Sequence, residues 1–169
     1  MTELDGIDNR IVAALQADGR LAMVDLAERV GLSPTPCQRR VKRLEDEGVI
    51  ARYAALVSPE AVGLGLQAMV QVTLEDHSEK TVEAFEAAIR ARPEVVACYA
   101  MTGDMDFLLH VLAPDLARFS DFAMRALLRM PGVRGTRSSF IMQAVKSDLA
   151  WAPLGAPHRA PQPPAKTRK

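Results

Sequence analysis

"GLSPTPCQRRVKRLEDEGVI", residues 31–50, gathers two prolines, one cysteine and four cationic side chains just ahead of a run of acids. Gly31 suits the left-handed residue that closes a helix. Ser33 suits the N-cap of the next helix, and a proline at the first helical position is preorganised for it. At 100° per residue, Val41 and Leu44 fall within about 40° of Cys37, so these three form the inward stripe. Thr35, Arg39 and Lys42 point away from that stripe, with Gln38 and Arg43 on its flanks. Arg40 sits at the buried edge, placed to pair with an acid or to pack its stem. The outward face meets no carboxylate until Glu45 and Asp46. Such a face is either an ordinary solvated one or a surface for something anionic.

The preceding residues decide between the two. "LDGIDNRIVAALQADGR" puts Leu4, Ile7, Ile11, Ala14 and Leu15 at helical spacing, with Asp5 or Asp8 as cap and Gly19 as the stop. "MVDLAERVG" repeats the pattern at Val24, Leu26, Ala27 and Val30. Three short helices with a tight glycine turn before the third make a helix-turn-helix, and its third helix is the one presented to DNA. Arg pairs with guanine edges, Gln with adenine, and Thr with phosphate or a thymine methyl. The first turn is also expected to offer backbone N–H groups to a phosphate. Ser33, Thr35, Pro36, Gln38, Arg39, Lys42 and Arg43 are the candidate contacts to double-stranded DNA.

Downstream the period changes from helical to alternating. "VIARYAALV" (49–57) reads as a linking strand and "LQAMVQVTLE" (66–75) as a half-buried one. "SEKTVEAFEAAIRARP" (78–93) is an amphipathic helix with Val82, Phe85 and Ile89 on one face. "VVACYAMTG" (95–103) and "DFLLHVLA" (106–113) read as a hairpin turning tightly at Gly103 and Asp104. A second helix (115–131) and a last strand (132–146) complete β-α-β-β-α-β, the ferredoxin-like order. The expected fold class is therefore α+β: a three-helix, winged-type helix-turn-helix followed by a ferredoxin-like domain. Four segments are expected: the head at 1–50, a linker strand and hinge at 51–65, the ferredoxin-like domain at 66–148, and a Pro-rich basic tail at 149–169. The tail has almost no large apolar side chain to offset ordering entropy, and is expected to be disordered.

Bulk properties exclude little but redirect attention. A formal net charge of zero means that any DNA contact must come from local clustering rather than a global field. The N-terminus lacks the pattern of a signal peptide and no apolar run approaches a spanning helix, so a cytoplasmic protein with no membrane partner is expected. Cys37 and Cys98 read as reduced core thiols. His77 and His110 have no carboxylate or thiol at metal-ligand or nucleophile-base spacing, so no catalytic or metal site and no cofactor is expected. Asp106 is the odd residue, a carboxylate opening an apolar strand. Beside strand-end backbone groups it could hold a zwitterion such as a free amino acid.

With these stretches in view, the chain resembles the Lrp/AsnC (leucine-responsive/asparagine-responsive, feast/famine) regulators. The resemblance rests on "LDGIDNRIVAALQADGR", "DLAERVGLSPTPCQRRVKRLEDEGVI", "CYAMTGDMDFLL" and "PGVRGTRSSF", spanning roughly 4–146 in the family's order. It implies a transcription regulator whose C-terminal (RAM) domain binds an amino-acid effector and pairs into dimers that build tetramers or octamers. It also implies residence at the nucleoid and control of amino-acid metabolism genes. Carried over, the effector positions are Tyr99, Met101, Thr102, Gly103, Asp104 and Asp106, with Thr136 and Ser138 from the last strand. Two competing readings stand beside it: a sirohaem-decarboxylase-like enzyme of the same two-part build, and an architectural protein that wraps DNA without an effector.

Overall fold

The computed structural model of the chain describes residues 3–146. The tail expected over 149–169 lies outside the described residues. Two compact units divide the chain between Ala55 and Leu56.

The first unit is the tri-helical head. Helix α1 (Gly6–Ala17) starts in a capping box: the Asp5 carboxylate accepts from the N–H groups of Ile7 and Asp8, and Asp8 returns a bond to the Asp5 N–H. It stops two residues before Gly19, with Asp18 as the C-cap. Helix α2 (Met23–Val30) ends at Gly31, whose φ of 75° is costly for any residue with a Cβ. Leu32 N–H then closes the turn on the Ala27 carbonyl. Helix α3 (Pro34–Asp46) buries Cys37, Val41 and Leu44, the expected stripe, against Ile11, Ala14, Leu26, Ala27 and Val30. Fully burying each Ile, Leu or Val of this cluster is worth roughly 1.5–3 kcal/mol.

After α3 the expected linking strand does not form. Residues 51–58 are irregular, and Tyr53, Leu56 and Val57 are exposed. The reason is physical: a strand is held by its ladder, and among the described residues no neighbouring strand offers this segment one. β-branched and aromatic content alone cannot supply a partner.

The second unit opens with a short 3₁₀ turn and then strand β1 (Leu66–Leu74), helix α4 (Glu79–Arg90), strands β2 (Val95–Ala100) and β3 (Phe107–Ala113), helix α5 (Leu116–Asp121) and strand β4 (Val133–Phe140). The sheet order is β2-β3-β1-β4 with every neighbour antiparallel, the ferredoxin-like arrangement. Alternation on β1 and β3 sends Ala68, Val70, Val72, Phe107, Leu109 and Val111 into a core with Phe85, Ile89, Phe119, Phe122 and Leu127.

Three expected boundaries shift. β2 ends at Ala100, so the hairpin turns through a six-residue loop, 101–106, closed by Met101 N–H on the Asp106 carbonyl, rather than tightly at Gly103 and Asp104. β4 ends at Phe140, which faces Ala68 near the start of β1; one further bond, from the Ile141 N–H to the Gln67 carbonyl, closes the pairing before β1 runs out at Leu66. The helix expected over 115–131 continues past α5 as a π-helical turn (Phe122–Ala126) and a 3₁₀ turn (Leu127–Arg129). Phe119, Phe122, Ala123 and Leu127 nevertheless all reach the core, at the i, i+3, i+4, i+8 spacing of an ordinary helical face.

Gly132 leads into β4 with φ 73°, and a Cβ there would collide with Cγ2 of Thr81 on α4. Gly132→Ala should cost about 2–4 kcal/mol, adding left-handed strain to overpacking. Urea unfolding measures it, and a loss below about 0.5 kcal/mol would contradict this close approach.

Candidate functional site

The outward face of α3 is built as its spacing requires. Ser33, Thr35, Gln38, Arg39, Lys42 and Arg43 are exposed, and Pro36 is half-buried. Ser33 occupies the N-cap position, yet its hydroxyl accepts no backbone N–H, which leaves it free to bond elsewhere. The helix start offers fewer donors than expected. Pro34 and Pro36 have no N–H, and the Cys37 N–H is spent on the Ser33 carbonyl, so Thr35 holds the one open N–H of the first turn.

The four cations of α3 fall into two kinds. Arg40 Nη1 donates to Asp5 Oδ2 at 2.7 Å and to Asp8 Oδ1 at 2.8 Å. Arg43 Nη2 donates to Asp8 Oδ2 at 2.5 Å. Asp8 is 1% exposed, so two guanidiniums from α3 close over one buried carboxylate of α1. The Asp8 N–H, then Arg40, hold the Asp5 carboxyl down at about 2, and the carboxylates of Asp5 and then Asp8 raise Arg40 further. Arg39 makes no ion pair among the described residues. Lys42 meets Asp46 at 3.3 Å with both ends in water, a pair worth little and easily released.

In the second unit, Thr102, Gly103 and Asp104 are exposed at the hairpin tip, with Tyr99 and Met101 exposed beside it. Asp106 is committed within the subunit. Its Oδ2 accepts the Leu74 N–H at 2.7 Å and its Oδ1 lies 2.7 Å from His77 Nε2. Those two partners, the Leu74 N–H first, hold its carboxyl below the ordinary range. It thus ties the loop to the end of β1, and the zwitterion contact expected of it has to compete with these bonds. Sequence spacing missed His77, because 29 residues separate it from Asp106. The only hint was that both fall next to strand ends.

Thr136 and Ser138 lie apart from Tyr99 and the tip of that loop, although only β1 separates Thr136 from Asp106, whose N–H bonds the Val72 carbonyl. β4 and β2 are opposite edges of the sheet, and the row Cys98–Leu109–Val70–Ser138 crosses all four strands. At about 4.8 Å per strand the two edges stand roughly 14 Å apart. One chain therefore does not bring the eight expected effector residues together. Grooves of about 350 Å³ beside Ile89 and Cys98, and about 470 Å³ beside Arg92 and Arg118, are lined by none of them. His110 meets Gln67 Oε1 at 3.2 Å, and burial lowers its pKa, favouring the neutral ring. Burial likewise raises the Cys37 and Cys98 thiols, which keeps them inert. Among the described residues no helix is long and apolar enough to cross a membrane.

A helix-turn-helix head on a ferredoxin-like body with an exposed hairpin loop defines a two-part regulator, one part for DNA and one for a small ligand. Comparison with known proteins makes that class particular. Residues 4–51 match the winged helix-turn-helix DNA-binding family, and residues 67–151 match the Lrp/AsnC ligand binding domain. The chain is 43% identical over 143 residues to the leucine-responsive regulatory protein of Haemophilus influenzae, covering 85% of this chain and 86% of that one. The leucine-responsive regulatory protein of Escherichia coli K12 is 41% identical over 144 residues, covering 85% and 88%. A transcriptional regulator from Neisseria meningitidis, solved as its L-Met complex, superposes with a TM-score of 0.86 at 44% identity, covering 90% of this chain and 98% of that one. A feast or famine regulatory protein from Mycobacterium tuberculosis, complexed with L-methionine, gives 0.79 at 36% identity, covering 89% and 100%. The chain belongs to the Lrp/AsnC family of transcriptional regulators.

Proposed function

We propose that this regulator reads a DNA duplex with the outward face of α3 and answers to a free amino acid held by its second unit. Ser33, Thr35, Pro36, Gln38, Arg39 and Lys42 form the DNA-facing set. The observation that carries this is an exposed, carboxylate-free strip on the third helix of a helix-turn-helix, with Arg39 unpaired among the described residues. One head makes few contacts, so a homodimer is needed to read two half-sites about one helical turn apart.

The effector site falls between copies. Tyr99 and the tip of loop 101–106 of one copy stand opposite Thr136 and Ser138 of another, since one sheet keeps the β2 and β4 edges three strand spacings apart. Tetramers or octamers built this way couple ligand to DNA, because an amino acid bound between dimers changes how many heads engage together. Its leverage is its differential affinity for the two assemblies, typically about 1–3 kcal/mol, amplified by multivalency. The site of action is the nucleoid of the cytoplasm, and the target genes are those of amino-acid metabolism. The L-methionine complexes of two similar regulators support an amino acid as ligand.

Thermal unfolding against a panel of free amino acids, L-methionine first, tests the effector. A ligand at a hundred times its Kd should add about 2.7 kcal/mol of stability. If none of the twenty shifts the transition, the effector reading falls and an architectural role gains.

A further inference from the structure

We infer that Asp8 is a positioning residue for the DNA-reading helix, and that Arg40 and Arg43 serve its carboxylate rather than the duplex. This rests on the reading that α3 faces DNA, and it narrows the cations of that helix from four to two. Asp8 is 1% exposed, and each of its oxygens is taken by a different guanidinium. A buried carboxylate is tolerated only when paired and hydrogen-bonded. Turning Arg43 out to a phosphate would strip Asp8 Oδ2 to the Asp5 N–H, a bond of 3.2 Å.

Geometry makes the clasp directional. Positions 40 and 43 lie about one turn apart on the same edge of α3. Two tethers so placed, meeting one fixed carboxylate, set both the tilt of α3 against α1 and its roll about its own axis. The roll decides where Thr35, Gln38 and Arg39 point. Asp8 is itself fixed, because it also completes the capping box that starts α1. The charge count follows: Asp5 and Asp8 already answer Arg40 and Arg43, leaving Arg39 and the loosely paired Lys42 to neutralise phosphates.

The test is the salt dependence of DNA binding by the full chain, measured by fluorescence anisotropy on a duplex selected from a random pool and on a scrambled duplex. Each phosphate neutralised contributes about 0.9 to the slope of log K against log salt. Arg39→Gln should flatten the slope by about 0.9 per engaged head. Arg43→Gln, which deletes the charge but keeps an amide donor for Asp8, should leave the slope unchanged while weakening the selected duplex several-fold. Asp8→Asn should steepen the slope, by about 0.9 for each guanidinium released, and shrink the preference for the selected duplex about tenfold. A residue that only held the fold together would not steepen it. If Arg43→Gln flattens the slope as Arg39→Gln does, Arg43 touches phosphate and the clasp is wrong, with the α3 reading intact. If neither variant moves the slope, the α3 reading itself is wrong. Should Asp8→Asn not fold, the two arginine variants still decide.

Discussion

Replacing Arg39 and Lys42 together by alanine is expected to weaken binding to a selected duplex by about ten- to a thousandfold for each engaged head. Each of the two cations is assigned a phosphate, a contact worth roughly 0.7–2 kcal/mol net, so the pair carries about 1.4–4 kcal/mol, and 1.4 kcal/mol is a factor of ten. Both residues are exposed and neither supports a buried partner, so melting should move by no more than about 0.5 kcal/mol. That separates lost recognition from lost folding. The salt slope should also flatten by about 1.8 per head, since two phosphate contacts go. A filter-binding titration across a salt series reads both quantities. Unchanged affinity would remove α3 as the reading element.

What sequence could anticipate follows from distance along the chain. The stripe Cys37, Val41 and Leu44 was legible because 3.6-residue periodicity is local, and so was the alternation along Leu66–Leu74 and Phe107–Ala113. The Lrp/AsnC resemblance was legible for the same reason, in short motifs kept in order. The clasp was legible only in part: position 40 announced a pairing with an acid, but not which one, since Asp8 meets Arg40 across 32 residues and Arg43 across 35. Two aspartates three apart before an apolar stripe signal a cap, and nothing in that spacing announces a second duty. Asp106 shows the same limit: its oddity was visible, but its partners Leu74 and His77 come from another strand end. The segment 49–57 erred differently. Its residues favour a strand, and strand formation depends on a neighbour that propensity cannot provide.

The second large effect concerns the core beneath that loop. Phe85 of α4 is 0% exposed, and its ring centroid lies 4.7 Å from that of Phe107, tilted by 41°. Phe85→Ala removes that contact and leaves a void between α4 and the sheet, at a cost of about 3–5 kcal/mol. For a unit of this size each kcal/mol shifts the midpoint by roughly 4–8 °C, so its transition should fall by more than about 12 °C. Phe85→Leu refills part of the void and should lose no more than about half as much. Calorimetry of both variants checks the ratio. A functional consequence follows, because Phe107 comes directly after Asp106, whose carboxylate ties the hairpin loop to Leu74. A void under Phe107 loosens that anchor. The stability gained from a saturating amino acid should therefore shrink in Phe85→Ala beyond what lowered stability alone explains. Equal ligand-induced gains in parent and variant would show that the loop takes no support from this core.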